Sequence, residues 1–186
     1  MGKTRFQALP LGRKWCEAIQ LDDGRQFLLR PIQPSDARML QRSFQTLTPQ
    51  EVRLRFMHPM SELSGEYAQR LCSVDEQDGF ALIVVEAQPP EEALIGAVAR
   101  LAIDDGGHEA EFAIIVGREL RRLGLGRYLM QHLIGWAREQ GLRAIYGFIL
   151  NENSPMLRLM NEMGFSVGPC DMDTGISLAR CPLDRN

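Results

Sequence analysis

The chain has 186 residues, 45% of them hydrophobic and 24% charged, which suits one ordinary globular domain with a sizeable core. Its net charge of −3 excludes a strongly cationic nucleic-acid binder. No run of about 18 apolar residues is present to cross a membrane as a helix. In chain order, 1–14 (MGKTRFQALPLGRK) lacks the apolar segment of a secretion signal and reads as a short N-terminal arm, with a single domain expected over 15–186. The apolar-rich runs 15–21 and 25–32 read as strands joined by Asp22-Asp23-Gly24, a hairpin turn. Pro34-Ser35-Asp36 then opens a helix, with Ser35 as its cap and Ala37, Leu40, Phe44 and Leu47 at three- and four-residue steps. Thr48-Pro49 starts a second helix through Phe56, and 61–71, capped by Ser61, a third. Strands are expected at 80–86 and 94–103, separated by Pro89-Pro90, and at 109–116, which is almost continuously apolar after Glu111. The longest helix, 124–140, carries Leu129, Leu133, Trp136 and Ala137 on one face and ends at Gly141. A strand at 143–150, a helix at 154–163 with Met156, Met160 and Met163 on its buried side, and a hairpin from Phe165 complete the chain. This order predicts an α/β sandwich on a mixed sheet.

Cys16, Cys72, Cys170 and Cys181 form no CxxC pair and no zinc spacing with His58, His108 or His132, so no metal centre is expected. Without a secretion signal they read as reduced thiols of a cytoplasmic protein. His132 has a surface or satisfied core role, and no Ser-His-Asp arrangement suggests a hydrolase. Of 21 basic residues only Lys3 and Lys14 are lysines. A GC-rich genome explains that bias, as does an enzyme that modifies lysines and carries few of its own.

The most informative stretch is Arg121-Arg122-Leu123-Gly124-Leu125-Gly126-Arg127, directly after a strand and before a helix. No Ser, Thr, Asp or Asn stands there to cap the helix, so its first amides lack side-chain partners while two glycines allow close approach. Arg118, Arg121, Arg122 and Arg127 surround that positive helix end. An anion is the natural partner, a diphosphate better than a single carboxylate, against the plain alternative of a glycine-rich helix start. Neither a Walker loop nor a GxGxxG fingerprint is present.

These residues resemble the acetyl-CoA signature [QR]xxGx[GA] of the GCN5-related N-acetyltransferases (GNAT), matched from Arg121 to Gly126. Leu29-Arg30-Pro31-Ile32 with Pro34-Ser35-Asp36-Ala37 resembles the family's first strand and helix, and Asn153 followed by Gly164-Phe165 its later N…GF helix. Leu54-Arg55-Phe56, Ala110-Glu111-Phe112-Ala113 and the run from Glu152 to Leu159 are similar to the acetyltransferase domain of bacterial Pat-type protein-lysine acetyltransferases. Together these cover roughly 27–183. The resemblance implies a GNAT-like mixed, mostly antiparallel sheet with helices on both faces and acetyl-CoA as cosubstrate. It implies that Ile114, Ile115 and Val116 offer backbone groups to the pantetheine arm. Arg121, Arg122, Leu123, Gly124, Leu125, Gly126 and Arg127 would hold the pyrophosphate, chiefly through main-chain amides, and Asn153 would contact the cofactor.

Acetyl transfer to a lysine, whose amine has a pKa of about 10.4, needs a base within reach. Glu111 is the candidate: it sits early in an apolar strand, where burial raises a carboxyl pKa, and at the place where lysine-acetylating members carry their glutamate. Glu109, on the same strand face, is the runner-up. Many members place a tyrosine acid seven residues after the motif asparagine; here Met160 stands there, and Tyr146 or water is the substitute. Phe148 stands where peptide N-terminal acetylating members carry a glutamate, which argues against that subclass. The expected partner is a protein lysine; a small amine such as a polyamine or drug, or an acyl-CoA-binding sensor that has lost catalysis, stays open. Glu62, Glu66, Asp75, Glu76 and Asp78 read as ordinary solvated surface or as an acidic docking face for a lysine-bearing protein. A monomer and a homodimer both fit.

Overall fold

Alternating apolar side chains on either side of Asp22–Gly24 produce the expected hairpin, β2 (Glu17–Leu21) and β3 (Gln26–Pro31), in a computed structural model that describes residues 4–171 and 173–183. Part of the segment expected as an arm is itself a strand: β1 (Phe6–Pro10) pairs antiparallel with β2. Burial is the reason. Phe6 sinks into the core and meets Tyr128 edge-on at 5.2 Å, and Ala8 packs against the same cluster. A five-residue strand ending in Pro10 carries too little alternation to be legible, and proline is tolerated there because β1 is an edge strand.

Three short helices follow, α1 (Ala37–Phe44), α2 (Pro49–Phe56) and α3 (Gly65–Cys72), then the strands β4 (Gly79–Glu86), β5 (Ile95–Ile103) and β6 (Glu109–Val116). The long helix α4 (Leu125–Glu139), β7 (Ala144–Leu150), α5 (Ser154–Glu162), β8 (Ser166–Cys170) and β9 (Asp173–Pro182) complete the fold. The nine strands form one sheet in the order β1-β2-β3-β4-β5-β6-β7-β9-β8, antiparallel throughout except at β6–β7. This is the expected mixed α/β architecture, mostly antiparallel with helices on both faces.

Two caps differ from expectation. Ser35 is exposed; the buried Asp36 instead accepts from the Gln33 N–H at 2.7 Å and is gripped by two 2.7 Å bonds from Arg30. A charged partner makes Asp36 the better anchor. Ser61 precedes the third helix, whose cap is Ser64, accepting from the Tyr67 N–H at 3.1 Å. Thr48 caps α2 in a reciprocal box with Glu51.

On one face of the sheet, α4 and α5 bury Leu129, Leu133, Trp136 and Met160 against Ala97, Ala99, Leu101 and Phe112. On the other, α1–α3 pack through Ala37, Phe44, Val52 and Ala68, while Met39 reaches Ile83 and Val85. Residues 79–85 of β4 are buried without a break, as a central strand covered on both sides must be. Met156 and Met163 pack against the core with Met160, and Cys16, Cys72 and Cys170 are free thiols.

Candidate functional site

The parallel pair at the centre of the sheet comes apart. β6 and β7 are in register at Glu109–Ala144, Ala110–Ile145 and Glu111–Tyr146, and beyond Glu111 the pairing stops. Ile114, Ile115 and Val116 continue to pair with β5 but leave a free edge toward β7. Phe112 marks the divergence: a Cβ on Gly147 would lie 2.6 Å from its ring, so only glycine lets β7 pass so close.

Glu111 sits at this vertex, half-buried. Burial pushes its carboxyl above the usual range, with Arg55 opposing in part. Glu109, on the same strand face, is otherwise engaged: Arg180 Nη2 holds its Oε1 at 2.5 Å. The two acids that sequence spacing left as alternatives thus differ in their surroundings, Glu109 being ion-paired. Glu111 makes no ion pair with any described residue.

After β6 a 3₁₀ turn (Arg118–Leu120) leads into the glycine-rich loop. Arg122 takes φ +62° and Gly124 φ +88°, so the chain turns through two left-handed residues just before α4. The first intrahelical bond runs from the Tyr128 N–H to the Gly124 carbonyl at 3.1 Å. Among the described residues, the amides of Leu125, Gly126 and Arg127 find no acceptor, and no side chain caps the helix. An anion fits there. Thr4 lies against the loop, 3.0 Å from where a Gly124 Cβ would stand, and the Arg5 N–H donates to the Leu123 carbonyl at 3.0 Å.

The arginines around this loop do not all face outward. Arg121 Nε donates to the Val116 carbonyl at 3.0 Å and its Nη2 to Glu51 at 2.7 Å; Arg118 stands 3.6 Å from the same carboxylate. Glu51, buried in α2, thus braces the loop, a role that its sequence context as a capping-box glutamate did not reveal. Arg127 pairs with Glu162 at 2.7 Å, whereas Arg122 is exposed. Leu123 and Leu125 turn their side chains into the core, leaving their backbones to the loop.

Asn153 caps α5, its Oδ1 accepting from the Met156 N–H at 3.3 Å. Met160 is fully buried and packs the core. Tyr146 stands beside Glu111 across the β6–β7 pair; burial and the carboxylate charge hold its hydroxyl protonated above the ordinary range. Of the surface and satisfied core roles expected for His132, the second holds: it is bonded to the Tyr128 carbonyl at 3.0 Å and to Glu17 at 3.1 Å. Glu62, Glu66, Asp75, Glu76 and Asp78 are all exposed, on and around α3. Sequence reasoning assigned no role to Arg55 or Arg100, which line a cavity on the α1–α3 face.

Among the described residues no group of His, Cys, Asp and Glu could hold a metal ion, and no helix is long and apolar enough to cross a membrane.

Comparison with known proteins agrees with this geometry. The profile described as "Acetyltransferase (GNAT) family" matches residues 42–165. An acetyltransferase of Pseudomonas aeruginosa is 31% identical over 162 residues, 87% of this chain and 85% of that relative. "Acetyltransferase Pat" of Mycolicibacterium smegmatis is 26% identical over 149 residues, 78% of this chain but 43% of that protein. The crystal structure of the GNAT domain of S. lividans PAT superposes with a TM-score of 0.80 at 24% identity, covering 94% of this chain and 100% of that domain. With its splayed parallel strands and uncapped glycine-rich helix start, the chain belongs to the GNAT family, as an acetyltransferase that depends on acetyl-CoA.

Proposed function

We propose that this protein acetylates a lysine side chain of another protein by direct transfer from acetyl-CoA, with Glu111 as general base. The observation that carries it is the half-buried, unpaired Glu111 at the residue where β6 leaves β7. Ile114, Ile115 and Val116 offer main-chain groups to the pantetheine arm along the free edge. The amides from Arg122 to Arg127 take the pyrophosphate, aided by the exposed Arg122 guanidinium. Arg121 acts indirectly: tied to Val116 and Glu51, it holds the loop in its left-handed path. Asn153 spends its oxygen on the α5 cap and keeps its amide group for the cosubstrate.

In the reaction the lysine nitrogen bonds to the thioester carbon, Glu111 accepts the N–H proton directly or through water, and the C–S bond breaks to release CoA. A carboxylate with its pKa raised toward neutrality is a stronger base than one in water, and such a group contributes about 10²–10⁴-fold. A protein acceptor is supported by the resemblance to the Pat-type domain over most of the chain and by the acidic residues exposed around α3. Met160, buried where many members place a tyrosine acid, favours a second reading, an acyl-CoA sensor without turnover.

One assay separates them: free-CoA release from acetyl-CoA with a protein extract and with a panel of small amines, side by side. Release with the extract, abolished in Glu111→Gln, is the expected result. Release with small amines alone moves the function to metabolite or drug acetylation, and calorimetric binding of acetyl-CoA without release selects the sensor.

A further inference from the structure

The sheet face that carries Glu111 is not filled. A cavity of about 370 Å³ opens on that side of the sheet, next to Glu111 rather than lined by it; Arg25, Arg55, Arg100 and Arg118 stand in its wall, Arg55 from α2 and Arg100 from β5. Arg100 lies directly across from Ala113 on β6, and Glu111 is two residues further along that same strand face. All three charged groups belong to one side of the sheet. Arg100 Nη2 donates to the Leu71 carbonyl at 2.8 Å, and the Arg55 guanidinium lies over the Phe56 ring, 4.9 Å from its centre. Neither arginine makes an ion pair with a described residue.

Such charges are expensive to bury without a counter-ion. Burial draws Arg55 down to about 10, with the like charge of Arg100 adding to it, and burial lowers Arg100 as well. Of the three acids on the cavity wall, Glu51 is tied to Arg118 and Arg121, Glu86 accepts from the Leu94 N–H at 3.0 Å, and the charge of Glu119 reaches Arg25 rather than Arg55 or Arg100. Glu111 is the carboxylate whose charge reaches Arg55. It becomes neutral when it takes the amine's proton, so at the moment of transfer two guanidiniums face the cavity without a negative partner.

We propose that Arg55 and Arg100 form a carboxylate subsite for the acceptor, and that the preferred substrate is a lysine with an acidic residue close beside it in the same polypeptide. This rests on the acetyl-transfer role proposed for Glu111. An incoming ammonium alone is repelled by two half-buried cations; one that brings a carboxylate meets the planar forks that guanidiniums present to that group. The same positive field lowers the pKa of the arriving amine and favours its nucleophilic neutral form. A polyamine brings only further positive charge.

The test is the ratio of kcat/KM for two matched peptides, one with Asp and one with Asn next to the acceptor lysine, on the wild-type enzyme, Arg55→Gln and Arg100→Gln. Free lysine, whose α-carboxylate supplies the same chemistry, and spermidine run alongside. The expected ratio is at least about tenfold for the wild type, carried mainly in KM, and near one in either variant, with calorimetric acetyl-CoA binding retained. Thermal melts of both variants check that they fold, and Arg100→Lys, which keeps charge without the fork, regains only part of the ratio. A wild-type ratio near one, or a preference that survives both substitutions, overturns the subsite. Acetylation of free lysine but neither peptide, with the same arginine dependence, keeps the subsite and overturns the protein acceptor. Spermidine as the best substrate overturns both. A turnover-independent arm uses glutarate in a thermal-shift titration: stabilisation of the wild type but not of Arg55→Gln is expected, and no stabilisation of the wild type counts against the subsite even when no acceptor is turned over.

Discussion

On the α4 face of the sheet, Leu129, Met130, Leu133 and Met160 are fully buried, and Trp136 stacks on Phe80 with ring centres 5.1 Å apart. Across the same strands, on the α1–α3 face, Arg100 and Glu111 are half-buried and a cavity remains open. The two surfaces alternate along a single backbone: Ala99 and Leu101 point one way, Arg100 the other. The packed face fixes the strands so firmly that the other can hold unpaired charge and empty space without collapsing. Function here is a local departure from good packing, sustained by its reverse side.

Substitutions can break this contrast from either side. Glu111→Gln should lower kcat by about 10²-fold or more while leaving acetyl-CoA affinity unchanged in calorimetry. Because burial raises the Glu111 pKa, the ionised, active form is lost as pH falls, at a pH above the ordinary carboxylate range. The wild-type rate should therefore rise with pH through that raised value, and Glu111→Gln should lose this limb. An unchanged rate removes Glu111 from the base role. Leu133→Ala, on the packed face, should instead cost about 2–5 kcal/mol in denaturant unfolding and leave the slope of that pH profile alone.

The loop lies between these extremes. Gly124→Ala places a Cβ at φ +88° and 3.0 Å from Thr4, so it should destabilise by about 1 kcal/mol and weaken acetyl-CoA binding in the same preparation. Glu51→Gln tests the brace from α2. Burial raises the Glu51 pKa, but the bonds from Thr48 and the charges of Arg121 and Arg118 outweigh it and hold the carboxyl below its usual range. A depressed folded pKa means stability present above the unfolded value and lost as pH falls through the folded one. Glu51→Gln should thus lose about 1–2 kcal/mol near neutrality and show a flatter acid limb in thermal melts. A wild-type acid limb in the variant rules out that linkage.

The extent to which sequence foretold this molecule follows the same division. Periods of two and of three to four residues reveal most strands and helices, because the packed face imposes them, and β6 spans the 109–116 that its largely apolar run marks. The glycine-rich loop was legible because its lack of a capping side chain is itself a sequence feature. Ser35 and Ser61 misled because a cap is chosen by geometry, and Asp36 and Ser64 stand where the helix turns begin. The difference in surroundings between Glu109 and Glu111 is set by Arg180, which lies 71 residues from Glu109 in the chain. Arg55 and Arg100 belong to a helix and a strand that meet only after folding; Arg55 lies in the Leu54–Phe56 motif, which gives it no role, and Arg100 sits in no pattern that marks it.

The smallest expected effect concerns the acid. Tyr146 is adjacent to Glu111, remains protonated, and is the remaining phenol beside the vertex of the two strands. A tyrosine acid matters most when the leaving group is a strong base. A thiol ionises near pH 8.5, so a CoA thiolate can depart without a proton and collect one from water afterwards. Met160, buried at the family's tyrosine position, fits an enzyme in which that proton is not limiting. Tyr146→Phe, whose ring still packs edge-on against Phe148, should therefore change kcat by no more than about threefold. A loss approaching that of Glu111→Gln, accompanied by loss of the alkaline limb of the pH profile, would instead assign the leaving-group proton to Tyr146. The vertex would then hold base and acid together, and the contrast between the two faces would be sharper still.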